Sequence, residues 1–139
     1  MRARVTLFVI FSVIACGPLG AQDSVHFPCP QLKAAVENKL WLYDPTPADM
    51  LSLKSISSVD GGITDLTGLE YAENLHTINF HLNQISDISP LSGLNNLQKI
   101  SLGRNQIHDL SPLSGLSRLR HLDVHGNQLS NISFLSGLT

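Results

Sequence analysis

The fold is decided by three consecutive copies of one pattern, which read LHTINFHLNQISDISPLSGLNN at residues 75–96, LQKISLGRNQIHDLSPLSGLSR at 97–118 and LRHLDVHGNQLSNISFLSGLT at 119–139. Leucine, asparagine and glycine recur every 22 residues. A weaker copy precedes them, with six matching positions: Leu53, Ile56, Gly61, Ile63, Leu66 and Leu69. Self-similarity of this length indicates a solenoid, whose coils bury their apolar sides only by stacking.

The first half of each copy follows the pattern L-x-x-L-x-L-x-x-N, which alternates apolar and polar residues. That alternation is the signature of a strand with one buried face, so stacked copies predict a parallel sheet. The second half places apolar residues three apart, and Pro90 and Pro112 interrupt any longer helix. These features predict a 3₁₀ or irregular turn on the return side of each coil.

An asparagine stands at the turn after each of three predicted strands. Asn83, Asn105 and Asn127 keep the 22-residue spacing. An amide side chain there can satisfy backbone groups that no strand pairs, so we expect a structural asparagine ladder along the solenoid. The alternative is a solvent-facing turn residue chosen for its backbone tolerance.

The string NQISDISPLSGL closely resembles the 22-residue repeats of bacterial internalin-like leucine-rich-repeat proteins. The resemblance runs from about Phe27 to Thr139, and FPCPQLKAAVENKL is similar to the family's N-terminal region. It implies an α/β leucine-rich-repeat solenoid with a parallel β-sheet on the concave side. It also implies 3₁₀ or irregular turns on the convex side and a short N-terminal helical cap.

The segment before the repeats is expected to be that cap. Leu32, Val36 and Leu40 recur every four residues, which predicts a short helix with Pro30 first and Cys29 at its N-cap. Cys29 is expected to be a free buried thiol, although its role is open. A second helix is predicted from Thr46, with the following apolar residues facing the first coil. These apolar residues are Met50, Leu51 and Leu53. Between the two helices lie two aromatic residues, Trp41 and Tyr43. We expect both to pack within the cap rather than to form a ligand platform.

The first 21 residues read as a targeting signal. Two arginines precede the apolar run VTLFVIFSVIA at residues 5–15, which is too short to span a membrane. Two kinds of processing are open: ordinary cleavage after Ala21, or a lipoprotein signal of residues 1–15 with lipidation of Cys16. The predicted organisation is therefore a signal at 1–21, a cap at 22–52 and about four repeats at 53–139. The array is expected to be truncated, because no C-terminal cap follows Thr139.

The predicted strands place polar side chains in columns on the concave face. The tentative binding residues are Thr77, Asn79, His81, Lys99, Ser101, His121, Asp123 and His125. Within strand four, the sequence His-x-Asp-x-His (residues 121–125) has the chemistry of a metal site. Its same-face Cα atoms are about 6.6 Å apart, however, so we expect a polar recognition surface and no metal.

Composition favours binding over catalysis. The net charge is -2, which gives no electrostatic reason to expect a nucleic-acid partner, and no motif of a nucleophile, a phosphate loop or a cofactor is present. We therefore expect no catalytic residue and no cofactor. The predicted function is an exported, non-catalytic module that binds a protein or glycan through its concave sheet. The alternatives are the targeting region of a larger secreted enzyme and a structural envelope spacer, and membrane contact is expected only through a lipid on Cys16.

Overall fold

The computed structural model of the chain describes residues 23–130. The predicted signal segment, the lipidation candidate Cys16 and the last nine residues of the final repeat lie outside this range. Within the described part of the chain, no helix is long and apolar enough to cross a membrane.

A four-stranded parallel sheet runs the length of the repeats. The strands β1 to β4 are adjacent in chain order, and the residue pairs across them are all 22 positions apart. Their bounds are Ser55–Ser57 (β1), Thr77–Asn79 (β2), Lys99–Ser101 (β3) and His121–Asp123 (β4). Each repeat therefore contributes one strand at the same point of its coil, which confirms the predicted solenoid.

The convex side of the first three coils is built from a 3₁₀ turn, as predicted, at Leu69–Tyr71, Ser89–Leu91 and Ser111–Leu113. An aspartate precedes each turn: the Oδ1 atoms of Asp65, Asp87 and Asp109 accept hydrogen bonds at 2.8 Å from the backbone N–H groups two residues later. This local bond competes with continuous helix and fixes where the chain turns.

The interior is a stack of aliphatic side chains. Ile56, Ile78 and Ile100 are in register on neighbouring strands, and none is more than 2% exposed. Fully burying such a side chain stabilises the folded chain by roughly 1.5–3 kcal/mol. The corresponding Leu122 on β4 is only partly buried. One continuous core therefore links the coils.

The sheet ladder extends past each strand to a residue with left-handed backbone. The N–H groups of Asp60, Leu82 and Arg104 donate to carbonyl oxygens of the next coil at 2.7–3.1 Å. Their φ angles are 53°, 58° and 55°, and Gly126 holds the fourth such position at 67°. Left-handed backbone costs a non-glycine residue roughly 1–2 kcal/mol, which the surrounding hydrogen bonds must offset.

The three repeat asparagines each bond to backbone groups of two coils. The Oδ1 atom of Asn105 accepts from the Ile85 N–H at 3.0 Å, and its Nδ2 group donates to the carbonyl oxygens of Phe80 and Leu102 at 2.9 Å. Asn83 and Asn127 make equivalent contacts. Their side chains therefore join each coil to the one before it.

Two helices precede the sheet, as predicted. The first, α1 (Pro30–Leu40), buries Leu32 and Val36, and it begins after Cys29, a free buried cysteine whose side chain makes no cap bond. The second, α2 (Pro47–Met50), begins with a capping box: the Asp49 N–H donates to Thr46 Oγ1 at 3.3 Å, and the Thr46 N–H donates to Asp49 Oδ2 at 2.9 Å.

Three predicted packing residues are exposed instead. Trp41 and Tyr43 are 92% and 91% exposed, so the expectation that they pack within the cap is wrong. The cause is local: Trp41 ends α1 in left-handed conformation, and the Asp44 N–H donates to Glu37 Oε1, which holds the loop against the outer side of α1. Leu51 is also wrongly predicted, since it follows α2 at its exposed end and is 41% exposed, whereas Met50 and Leu53 are buried.

Candidate functional site

The outward face of the sheet carries columns of polar side chains. Pairing of the strands aligns Thr77, Lys99 and His121 in one column, and Asn79, Ser101 and Asp123 in the next. Adjacent strands are about 4.8 Å apart, so neighbouring side chains in a column can contact one ligand together. The strand register therefore places side chains from different coils where they can form one binding surface.

A cleft of about 590 Å³ lies on this face. Six of the eight tentative binding residues line it: Thr77, Asn79, Lys99, Ser101, His121 and Asp123. The strand residues Ile78, Ile100 and Leu122 complete the lining together with Arg120. The cleft therefore offers two cations (Lys99 and Arg120), one carboxylate (Asp123), two half-buried hydroxyl groups and an amide around a sheet floor.

The remaining two residues, His81 and His125, lie just beyond the strands. Their ring centroids are 5.2 Å apart and their planes are inclined by 37°. They belong to coils two repeats apart, and Gly103 lies between them in the same column. Because Gly103 has no side chain, the two rings can meet above it.

Asp123 connects the cleft to this histidine pair. Its Oδ1 atom is 2.6 Å from Nδ1 of His125, and Oδ2 accepts a long hydrogen bond of 3.5 Å from the Ser101 hydroxyl. The hydrogen bond from His125 lowers the pKa of Asp123 below its ordinary value. Asp123 therefore stays a carboxylate in this position.

The three residues of the His-x-Asp-x-His sequence do not come together as one group. Among residues 23–130, the metal-capable group whose ligand atoms approach within 4.8 Å consists of His81, Asp123 and His125, and His121 is not one of them. Alternation along the strand places His121 on the same face as Asp123 and His125, but the rise of the strand keeps the rings of His121 and His125 apart. The signal that sequence reasoning missed is Gly103 between two histidines of one column.

The last two coils carry four basic residues near the concave side, and they lie in different surroundings. Lys99 and Arg120 border the cleft, whereas Arg118 donates from Nη1 to Asn96 Oδ1 at 2.7 Å, away from it. Arg104 occupies a left-handed turn position beneath Gly126. Of these four basic residues, only Lys99 and Arg120 therefore border the cleft.

Comparison with known proteins assigns the class. Residues 73–115 and 95–137 match the family described as Leucine Rich repeats (2 copies). No curated protein matches the chain. With its parallel sheet and 3₁₀ turns, the chain is a leucine-rich-repeat protein.

Solved structures narrow the class further. An internalin, InlF, from Listeria monocytogenes is 32% identical with a TM-score of 0.77, over 80% of this chain and 34% of that one. A structure of the CBM51-2 and INT domains of ZmpB from Clostridium perfringens, in complex with GlcNAc, is 34% identical with a TM-score of 0.57, over 65% of this chain and 20% of that one. The functional domain of InlJ from Listeria monocytogenes shares the fold at 23% identity and a TM-score of 0.66, over 78% of this chain and 23% of that one.

The protein is thus an internalin-like leucine-rich-repeat protein. The chain spans about a third of the length of InlF and a fifth of the ZmpB chain. A fold of this type is consistent with a protein-interaction module.

Proposed function

We propose that the repeats form a non-catalytic binding module whose concave sheet contacts a protein partner. The observation that carries this proposal is the cleft on the sheet, lined by polar residues at positions where the repeat pattern permits any residue. Thr77, Lys99 and His121 occupy equivalent positions in three coils but differ in chemistry. A surface that varies on a constant framework is suited to recognising one partner.

The electrostatics favour a partner with acidic groups beside the last two strands. Lys99 and Arg120 border the cleft there. Lys99 and His121 are exposed, and no partner on this chain satisfies the Lys99 side chain within residues 23–130. Rim charges of this kind mainly raise the association rate and select the partner.

The test is capture of surface proteins from the native source by the full chain, with two matched triple variants. Thr77→Ala, Lys99→Ala and His121→Ala together remove one concave column, whose side chains form no hydrogen bond with another residue within the described range 23–130. Ser86→Ala, Ser92→Ala and Asn95→Ala remove three exposed side chains from the return side of a coil. We expect the concave variant to lose capture by at least tenfold and the return-side variant to retain it.

Three results would change the proposal. Equal capture by both variants would remove the concave sheet as the binding surface. Loss of capture in the return-side variant alone would move the surface to the other side of the coils. Competition by a free sugar such as GlcNAc would assign the cleft to a glycan, and a chain that captures nothing would support a structural spacer.

The exposed aromatic pair of the cap is a second candidate surface. Trp41 and Tyr43 are almost fully exposed on a loop anchored to α1 by the ion pair of Lys33 and Asp44. Aromatic rings are frequent anchors of protein interfaces because they bury a large area with few rotatable bonds. A Trp41→Ala, Tyr43→Ala variant in the same capture assay would assign this loop to the interface if it lowered capture, and would exclude it otherwise.

We further propose that the chain is exported. The support is the basic start and the apolar run of residues 5–15. The intact mass of the protein from its native source distinguishes the two processing routes. A mature start at Gln22 would indicate ordinary cleavage, a diacylglycerol group on Cys16 would indicate a membrane anchor, and an unprocessed Met1 would contradict export by this signal.

A further inference from the structure

The rings of His81 and His125 lie close together above Gly103, although their backbones are two coils apart. Backbones two strands apart are separated by roughly 9–10 Å, a distance at which two rings normally do not meet. Here the ring centroids are 5.2 Å apart. A Cβ atom on residue 103 would lie 2.7 Å from Nδ1 of His125 and 2.8 Å from Nδ1 of His81. Both nitrogen atoms therefore border the same small volume that glycine leaves empty.

A carboxylate supplies the third group. Asp123 Oδ1 is 2.6 Å from His125 Nδ1, and one ligand atom from each of the three residues lies within 4.8 Å of the others. Two ligands of one tetrahedral zinc ion lie about 3.3 Å apart, given metal–ligand distances of about 2.0–2.2 Å. To ligate one ion, the Asp123 and His125 ligand atoms would have to separate slightly from 2.6 Å, whereas the widest pair of the group, within 4.8 Å, would have to approach.

The surroundings permit that movement. The side chains of His125 and Asp123 are 56% and 48% exposed, and His81 is half-buried. Their backbones are held by the ladder: the Asp60 N–H donates to the His81 carbonyl at 3.1 Å. The Leu102 and Arg104 N–H groups donate to the Asp123 and His125 carbonyls, each at 2.7 Å. The framework is thus fixed while the ligand atoms stay free to adjust.

We propose that His81, Asp123 and His125 bind a transition-metal ion of the zinc type on the concave face. Two imidazoles and one carboxylate favour zinc, nickel or copper over calcium and magnesium, which prefer oxygen ligands alone. Three protein ligands leave a fourth position for water or for a side chain of a partner. Asp123 also lines the cleft, but none of the ligands belongs to the column of Thr77, Lys99 and His121, so zinc binding can be tested without the proposed partner.

The test is calorimetric titration of zinc chloride at pH 7.5 into the full chain, made without a polyhistidine tag, with cobalt absorption as a second probe of tetrahedral ligation. We expect one ion per chain at this site. His81→Ala and His125→Ala should each weaken its binding by about tenfold or more. All variants keep both cysteines, so differences between them report on the concave ligands.

Two further variants make the test specific. Gly103→Ala removes no ligand, but its Cβ atom would displace both rings from the shared volume, so we expect a loss similar to that of His81→Ala. The matched control is His121→Ala, which removes an exposed histidine two residues from Asp123 and should change the affinity by less than about twofold. Urea unfolding of each variant establishes that the fold is kept.

Three results would overturn the proposal. The first is that the wild-type chain binds no zinc at millimolar concentration. His121→Ala could weaken binding as much as His81→Ala, which would indicate unspecific binding to surface histidines. Gly103→Ala could keep full affinity, which would show that the volume between the rings is not the site.

Discussion

The two faces of the sheet follow opposite rules, although they alternate along the same three-residue strands. On the inner face, the column that begins with Ile56 continues with Ile78 and Ile100, and only a change to leucine occurs at β4. On the outer face, the neighbouring column runs through serine, asparagine, serine and aspartate. The inner face repeats because identical coils must stack without cavities. The outer face can vary because its side chains are exposed to solvent and do not have to pack against the next coil.

The largest expected effect is a difference in the free energy of unfolding between substitutions of two adjacent residues of β3. Ile100 is 2% exposed and Ser101 lies on the outer face. Ile100→Ala should lower the free energy of unfolding by about 4 kcal/mol, because it leaves a cavity between coils. Ser101→Ala should change it by less than about 0.5 kcal/mol. Urea denaturation of both variants measures the difference, and equal losses would contradict the division between the faces.

A smaller effect is expected for two asparagines in different settings. Asn105 is 6% exposed and bonds to backbone groups of two coils, whereas Asn79 lies half-buried in the cleft. Asn105→Ala leaves buried backbone groups without partners and should lower the free energy of unfolding by about 3 kcal/mol. Asn79→Ala should lower it by less than about 1 kcal/mol. Urea denaturation measures both losses, and a loss for Asn105→Ala as small as that expected for Asn79→Ala would mean that Asn105 is an ordinary turn residue.

The smallest effect concerns acid and the convex turns. Hydrogen bonds from the Ser111 hydroxyl and N–H lower the pKa of Asp109 below its ordinary value of 3.8. The unfolded chain therefore takes up this proton first, so the stabilisation is complete above about pH 4 and is lost as the pH falls through the folded pKa. In Asp109→Asn, the free energy of unfolding should fall less steeply from pH 5 to pH 3 than in the wild type.

The matched variant Ser111→Ala removes the strongest of those donors and should flatten the same slope. Both variants keep an acceptor or a backbone donor at the turn, so the 3₁₀ segment Ser111–Leu113 is expected to persist. A slope equal to that of the wild type in both variants would mean that Asp109 does not link acid to stability.

The elements that repeat could be predicted from the sequence. The strands, the 3₁₀ turns and the capped helix α2 follow from short local patterns, and each agrees with the structure. The exposure of Trp41 could not be predicted, because it depends on the left-handed end of α1 and on a bond between Glu37 and Asp44. These contacts occur once and have no period.

The histidine group illustrates the same limit within the repeats. The columns of the outer face could be written down from the spacing, and His81, Gly103 and His125 stand in one of them. What the spacing cannot give is the direction of a side chain. The two rings lean together because nothing projects from Gly103, and this depends on three coils at once rather than on one.

The constant offset of 22 residues between paired strands has a consequence for how such a chain can change its length. Every added or removed unit must be a whole coil, since only then do inner residues stay inside. A single residue inserted within a strand would exchange the two faces from that point to the end of the strand. Growth by duplication of complete units is therefore free of register errors, and each new unit brings a fresh set of outer positions that can diverge independently.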